Sequence, residues 1–140
     1  MMYPEADIPT LQLSLIRGLD PESHLKLGEA LRPILAQNVL VIGSGFSFHN
    51  MNAFAWRPTG EPDQANENFQ DWLIETVTQP SYADTRDRLL NWEQAPSARY
   101  CHPREEHLLP LMVCAGLAQS PAELIFDDKI LETRGLGFGC

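Results

Sequence analysis

The sequence predicts an α/β fold in which part of a mixed or parallel sheet is flanked by helices. Three observations carry that expectation: apolar alternation over residues 8–16 (IPTLQLSLI), a helix start at Asp20-Pro21, and a continuous apolar run at residues 39–42 (VLVI). A strand, a helix and a second strand at this spacing imply a right-handed crossover joining parallel strands. The 140 residues fit one domain, 1–140. At that size roughly two-thirds of the unfolded surface is buried on folding.

Each element has a local reason. In residues 8–16, Leu11, Leu13 and Leu15 alternate with Gln12, Ser14 and Ile16, the pattern of a strand with one buried face. Asp20 is a good N-cap, and proline is tolerated at the first helical position because its missing N–H has no partner there anyway. A helix over 21–36 follows, with Leu27, Leu31, Ile34 and Leu35 on one stripe, Pro33 disturbing the last turn and Asn38 closing it. The run at 39–42 reads as a strand covered on both faces. Residues 56–66 (WRPTGEPDQAN) are a polar loop, and the acids between 61 and 75 read as a solvated face. Helical spacing returns over 68–77 (Phe69, Trp72, Leu73, Val77) and over 85–92. Pro103 is expected to open a further helix, with Glu105 and Glu106 near its positive end, running to about Leu117 with a kink at Pro110. Residues 123–126 and 130–138 read as closing strands.

Charge and cysteine content narrow the partners. A net charge of −9 disfavours nucleic acid, whose phosphates need basic patches. The three cysteines (Cys101, Cys114, Cys140) are an odd number without CxxC spacing, which argues against a disulfide framework or a zinc finger. The expected compartment is reducing, hence cytoplasmic. No apolar run approaches the ~18 residues of a membrane span. The start, MMYPEADIPT, has neither the basic residues nor the apolar stretch of a signal peptide.

The chemistry concentrates in two segments, 43–50 (GSGFSFHN) and 100–109 (YCHPREEHLL), which hold three of the four histidines. His49 follows a glycine-rich strand end, the edge where ligand sites collect in open α/β sheets. It is either a loop histidine satisfied by backbone groups or a proton donor, acceptor or metal neighbour. The segment is not a phosphate loop, since it has neither GxxxxGK[ST] nor GxGxxG. His102 and His107 are five apart, so on one helix they would point about 140° away from each other, unlike the paired histidines of HExxH. Only one of them then faces a site. His107 is either a packed histidine near a helix start, beside Glu105 or Glu106, or a metal ligand. His24 reads as a surface residue, Cys101 as a small buried hydrophobe, and Trp56, Trp72 and Trp92 as core or pocket wall.

The ordered strings YPEADIP with LQLS, VLVIGSGFSFHN and NWEQAPSARYCHPREEHLLPL closely resemble the class III extradiol ring-cleavage dioxygenases, in their DOPA 4,5-dioxygenase-like (LigB-type) branch. The resemblance covers nearly the whole chain and is looser over 129–140. It implies a LigB-like α/β fold truncated at the N-terminus, matching the C-terminal half of the catalytic domain. It implies a non-haem Fe(II) or Zn(II) cofactor and opening of a catechol-type aromatic ring with O₂. His107 matches a metal ligand. His49 matches the residue beside the metal that moves protons, and His102 lies in the HP segment of the substrate pocket wall.

The resemblance places the family's other metal-ligating histidines before the point where the match begins, one in a Gly-His-Gly turn and another after a strand, with a further pocket histidine in an Asp-His-Gly motif. This chain has none of these motifs. An Fe(II) oxygenase site needs three protein ligands and open positions. The chain alone is therefore expected to be inactive and to need a companion N-terminal half. The alternative is a catalytically inactive remnant serving as a binding module; a hydrolase with His49 as base has no nucleophile to support it. The unpaired strand at 8–16 would favour homo-oligomers or instability. Nucleic acid and membrane are not expected partners.

Overall fold

In a computed structural model, residues 4–5, 7–54, 61–130 and 133–139 are described. Trp56 and Cys140 lie outside them. Helix α1 (Pro21–Leu31) begins where Asp20 accepts a hydrogen bond from the Ser23 N–H at 2.7 Å. It passes into a 3₁₀ stretch, Arg32–Gln37, and ends at Asn38 with φ 55°. The single helix expected over 21–36 is thus two pieces, because Pro33 has no N–H for an α-helical bond.

Helix α2 (Gln64–Thr78) is capped by Asp63, whose side chain accepts from the N–H groups of Ala65 and Asn66, and α3 (Tyr82–Leu90) by Ser81. After a 3₁₀ turn at Trp92–Gln94 come the short α4 (Ala98–Cys101), a second turn at Glu105–His107, and α5 (Leu109–Ala118). Pro103 does not open a helix. Arg104 is extended (φ −138°, ψ 143°), and Pro110 sits in the first turn of α5, where it starts a helix rather than kinking one.

The chain closes with an antiparallel hairpin, β1 (Glu123–Ile130) on β2 (Thr133–Gly139), with a register shift between Leu124 and Phe126. This is the whole sheet among the described residues. Residues 8–16 and 39–42 pair with no strand there, so the expected parallel unit is not formed. Alternation marks which face a strand would bury, but a strand exists only through the N–H and C=O groups of a neighbour. Without one, Leu11 is 98% exposed, Leu40 73% and Ile42 70%.

The core lies between α1, α2, α3 and α5, around the fully buried Leu25, Phe69, Leu73, Leu89, Trp92 and Met112. Helix α1 buries His24, Leu25 and Gly28 rather than the expected stripe, and Leu35 of that stripe is exposed. Helix α5 sets this choice by crossing α1 at Gly28 and Gly116. His24, expected at the surface, is completely buried. Its Nδ1–H donates to the Asp20 carbonyl at 2.7 Å and its Nε2 accepts from the Ile16 N–H at 3.1 Å, so the ring fastens the incoming segment to the start of α1.

Two charged clusters join the layers. Arg134 on β2 donates to Asp127 (2.7 and 2.8 Å), Asp71 (2.7 Å) and Glu67 (3.0 Å), so two acids of the supposedly solvated α2 face hold the hairpin. Glu29 on α1 accepts from the Tyr82 hydroxyl at 2.7 Å and from Arg86 at 3.1 Å on α3. The Tyr82 hydrogen bond, against some desolvation, holds the Glu29 carboxyl below its ordinary value of 4.5.

A depressed carboxyl stabilises the fold fully above its unfolded pKa, and the contribution is lost as pH falls through the folded value. Thermal midpoints recorded from about pH 6 down to about pH 3 are expected to fall less steeply in Glu29→Gln than in the parent. An identical slope would assign no such role to Glu29.

Candidate functional site

Segment 46–50 is lashed to segment 100–107 by three hydrogen bonds beside the one between His102 and the Ser47 carbonyl. The Phe46 N–H donates to the His107 carbonyl (3.2 Å), the His49 N–H to the Cys101 carbonyl (2.8 Å), and the Asn50 side-chain amide to the Tyr100 carbonyl (2.8 Å). Phe48, completely buried, anchors the strip edge-on against Phe54 and Tyr100. His49, next along the strip, meets His107. Their ring centroids are 3.5 Å apart with the planes inclined by 20°.

The strip comes this close because Gly45 has no side chain. A Cβ there would lie 2.3 Å from the His107 carbonyl oxygen. The sequence shows the Gly-rich turn, but only the packing shows that Gly45 admits His107. Gly45→Ala is expected to push the strip off the turn at Glu105–His107 and to abolish the ring–ring cross-peak between the two imidazoles in NMR spectra. Survival of that cross-peak would show that the backbone can yield at this point.

Both imidazoles are partly exposed. Burial, and next the neighbouring His49, push the His107 pKa below its ordinary 6.5, while Glu106 pulls weakly the other way. His107 is therefore unprotonated at neutral pH and has a lone pair to offer to a proton or a metal. It also lines a groove of about 420 Å³, whose other walls include Leu40, Gly43, Phe46, Leu111 and Phe138. That is room for a small aromatic molecule.

His102 takes a different position. Its ring is completely buried, between Phe69 (5.4 Å between centroids) and Trp92 (6.2 Å), and its Nε2 lies 2.8 Å from the Ser47 carbonyl oxygen. A carbonyl only accepts, so Nε2 carries the proton. Burial pushes the ring's pKa down to about 4 and keeps it neutral, which leaves Nδ1 as a bare lone pair without a partner among the described residues. Burial likewise pushes the Cys101 thiol up to about 12, so no thiolate nucleophile is available there.

Two further polar side chains, Gln70 and Asn66, and the Leu136 backbone N–H extend the network around Ser47. Gln70 donates to the Ser47 carbonyl (3.1 Å) and to the Asn66 side-chain oxygen (2.7 Å), Asn66 donates to the Arg134 carbonyl (3.2 Å), and the Leu136 N–H donates to the Ser47 hydroxyl (2.9 Å). Asn66 and Gln70 share a helical stripe with Phe69 and Leu73, which was a visible sign that they face inward.

The fold and the paired imidazoles define a mixed helix–strand domain with one histidine-centred site. A protein-family model described as the catalytic LigB subunit of aromatic ring-opening dioxygenase matches residues 1–136, and the chain belongs to that family. It is 41% identical over 131 residues to a 4,5-DOPA dioxygenase extradiol of Beta vulgaris, covering 91% of this chain and 47% of that one. It is 36% identical over 126 residues to the dioxygenase tasH of Hapsidospora irregularis, covering 84% of this chain and 39% of that protein. The chain thus spans less than half the length of these relatives. A crystal structure of an uncharacterized Escherichia coli K12 protein superposes with a TM-score of 0.84 at 23% identity, over 96% of this chain and 56% of that one. This likeness shows the fold.

Dioxygenases of this type generally depend on a non-haem metal. Among the described residues no three His, Cys, Asp or Glu side chains converge on one point. Stacked as they are, His49 and His107 offer at most two of the three protein ligands that an open oxygenase site requires. The described residues do not complete a metal site. No helix among them is long and apolar enough to cross a membrane.

Proposed function

We propose that this chain is part of an extradiol ring-cleavage dioxygenase that opens a catechol-type aromatic with O₂. The apposition of His49 and His107 at 3.5 Å, in a chain of this family, carries the reading. A catechol must lose its hydroxyl protons before its ring is electron-rich enough to react with O₂. An imidazole beside the pocket can take such a proton and return it later.

In this reading His49 moves protons. His107 is a ligand of Fe(II) or Zn(II), completed by side chains beyond the described residues, and His102 supports the pocket from behind Ser47. The exposed apolar segments 8–16 and 39–42 fit a companion stretch of the family's domain, which would supply strands to pair with them.

The test uses DOPA as catechol, Fe(II) and O₂. The 140-residue chain alone is expected to give no yellow ring-opened product. Adding the remaining part of a relative's domain as a second polypeptide is expected to give it. Failure of complementation by a soluble, associated partner would count against the dioxygenase reading. Turnover by the chain alone would show instead that the site is complete without it.

A further inference from the structure

The group with no evident task is the polar cluster buried behind the site. Burying polar side chains in an apolar core is unfavourable unless each hydrogen bond does something there. Here both His102 and Gln70 aim their N–H donors at one atom, the Ser47 carbonyl oxygen, at 2.8 and 3.1 Å. Two side chains from different elements converge on a single peptide group two residues before His49. Among the described residues each also leaves an atom unpaired, Nδ1 of His102 and Oε1 of Gln70. Satisfying every polar atom is therefore not what the arrangement achieves. What it achieves is the position of the Ser47–Phe48 peptide.

That peptide sits between the contact of the Phe46 N–H with the His107 carbonyl and the contact of the His49 N–H with the Cys101 carbonyl. Among the described residues the 46–49 strip has no ladder partner to set its height over the core. The Ser47 carbonyl, clamped from below, sets it instead. The Ser47 hydroxyl adds a tie to β2 through the Leu136 N–H.

We infer that His102 and Gln70 are positioning residues, which hold the Ser47 carbonyl so that His49 lies against His107. The inference rests on the reading of His49 and His107 as the working pair. It assigns His102 to the back of the site, with no contact to substrate.

The test is NMR of the histidine-labelled chain, reading the cross-peak between the His49 and His107 rings, with near-UV circular dichroism as the check on the fold. His102→Leu removes one donor. His102→Gln keeps an N–H near the position of Nε2, and Gln70→Met removes the other donor at similar shape. Loss of the cross-peak in His102→Leu and Gln70→Met, with retention in His102→Gln and an unchanged near-UV spectrum, is the expected result.

Retention in His102→Leu overturns the inference, and so does equal loss in His102→Gln, which would make ring shape rather than the hydrogen bond the cause. If His102→Leu does not fold, Gln70→Met decides: loss of the cross-peak supports the clamp and retention overturns it. Failure of the functional reading looks different, with the parent cross-peak intact and no ring-opened product under complementation.

Discussion

Gly116→Ala is expected to cost about 2–3 kcal/mol of stability, a large part of the 5–15 kcal/mol a domain of this kind has. On propensity alone alanine would gain about 1 kcal/mol in a helix. The packing reverses the sign. A Cβ on Gly116 would lie 2.2 Å from the Leu25 carbonyl oxygen, and one on Gly28 would lie 2.0 Å from that of Val113. These are backbone atoms of the facing helix, which no rotamer change can move aside. The helices must separate, opening gaps around Leu25, Met112 and Val113 where dispersion contacts are now made.

The thermal midpoint should fall by roughly 10 °C. Gly139→Ala, whose added Cβ meets nothing nearer than 3.7 Å, should fall far less. Gly28→Ala should resemble Gly116→Ala, and the double variant should cost less than the sum, because the first substitution already parts the crossing. Equal midpoints for Gly116→Ala and the parent would mean that the crossing is looser than described.

What the sequence made legible follows from the range of each interaction. The cap Asp20 and the αL residue Asn38 act within one turn and were legible. Helices α2 and α3, by contrast, begin at Gln64 and Tyr82, ahead of the expected 68 and 85, because the caps Asp63 and Ser81 lie outside the apolar spacing that marked these helices. The closing hairpin was legible as two strands, although β1 continues to Ile130, past the expected 123–126. Residues 8–16 and 39–42 were not, because pairing is a property of two segments, and neither finds another strand among the described residues. His24 and the buried face of α1 were misread for the same reason. A stripe of leucines shows which face could be buried, whereas Gly28 against Val113 decides which one is.

The site divides along the same line. His49 and His107 stood out through the strings around them, which resemble a known family, and helical spacing would not have joined them. Asn66 and Gln70 were missed because inward-facing amides on a polar helix look like solvated residues until Phe69 and Leu73 are seen beside them, and Ser47 because it acts through its backbone carbonyl. Pro103 and Pro110 were legible as punctuation but were assigned in the wrong order. Both can precede a helix, and only Pro110 has a continuous apolar run after it.

His49→Ala is expected to reduce the turnover of the complemented enzyme by about 10²–10⁴-fold, the usual contribution of a general acid–base group. The loss should fall on kcat more than on KM, since a proton acceptor acts on the reacting hydroxyl rather than on the ring's fit in the groove. His107→Ala should behave differently. His107 is the imidazole that lines the groove, and burial keeps it unprotonated, the form a metal ligand requires. Its loss should lower the metal retained by the complemented enzyme after dialysis, whereas His49→Ala should leave that content near the parent's. The stacking at 3.5 Å makes the comparison demanding, because removing either ring frees the other to move. His49→Gln and His107→Gln, which fill most of the space, control for that movement. If His49→Gln lost the metal and His107→Gln kept it while slowing turnover, the two roles would have to be exchanged.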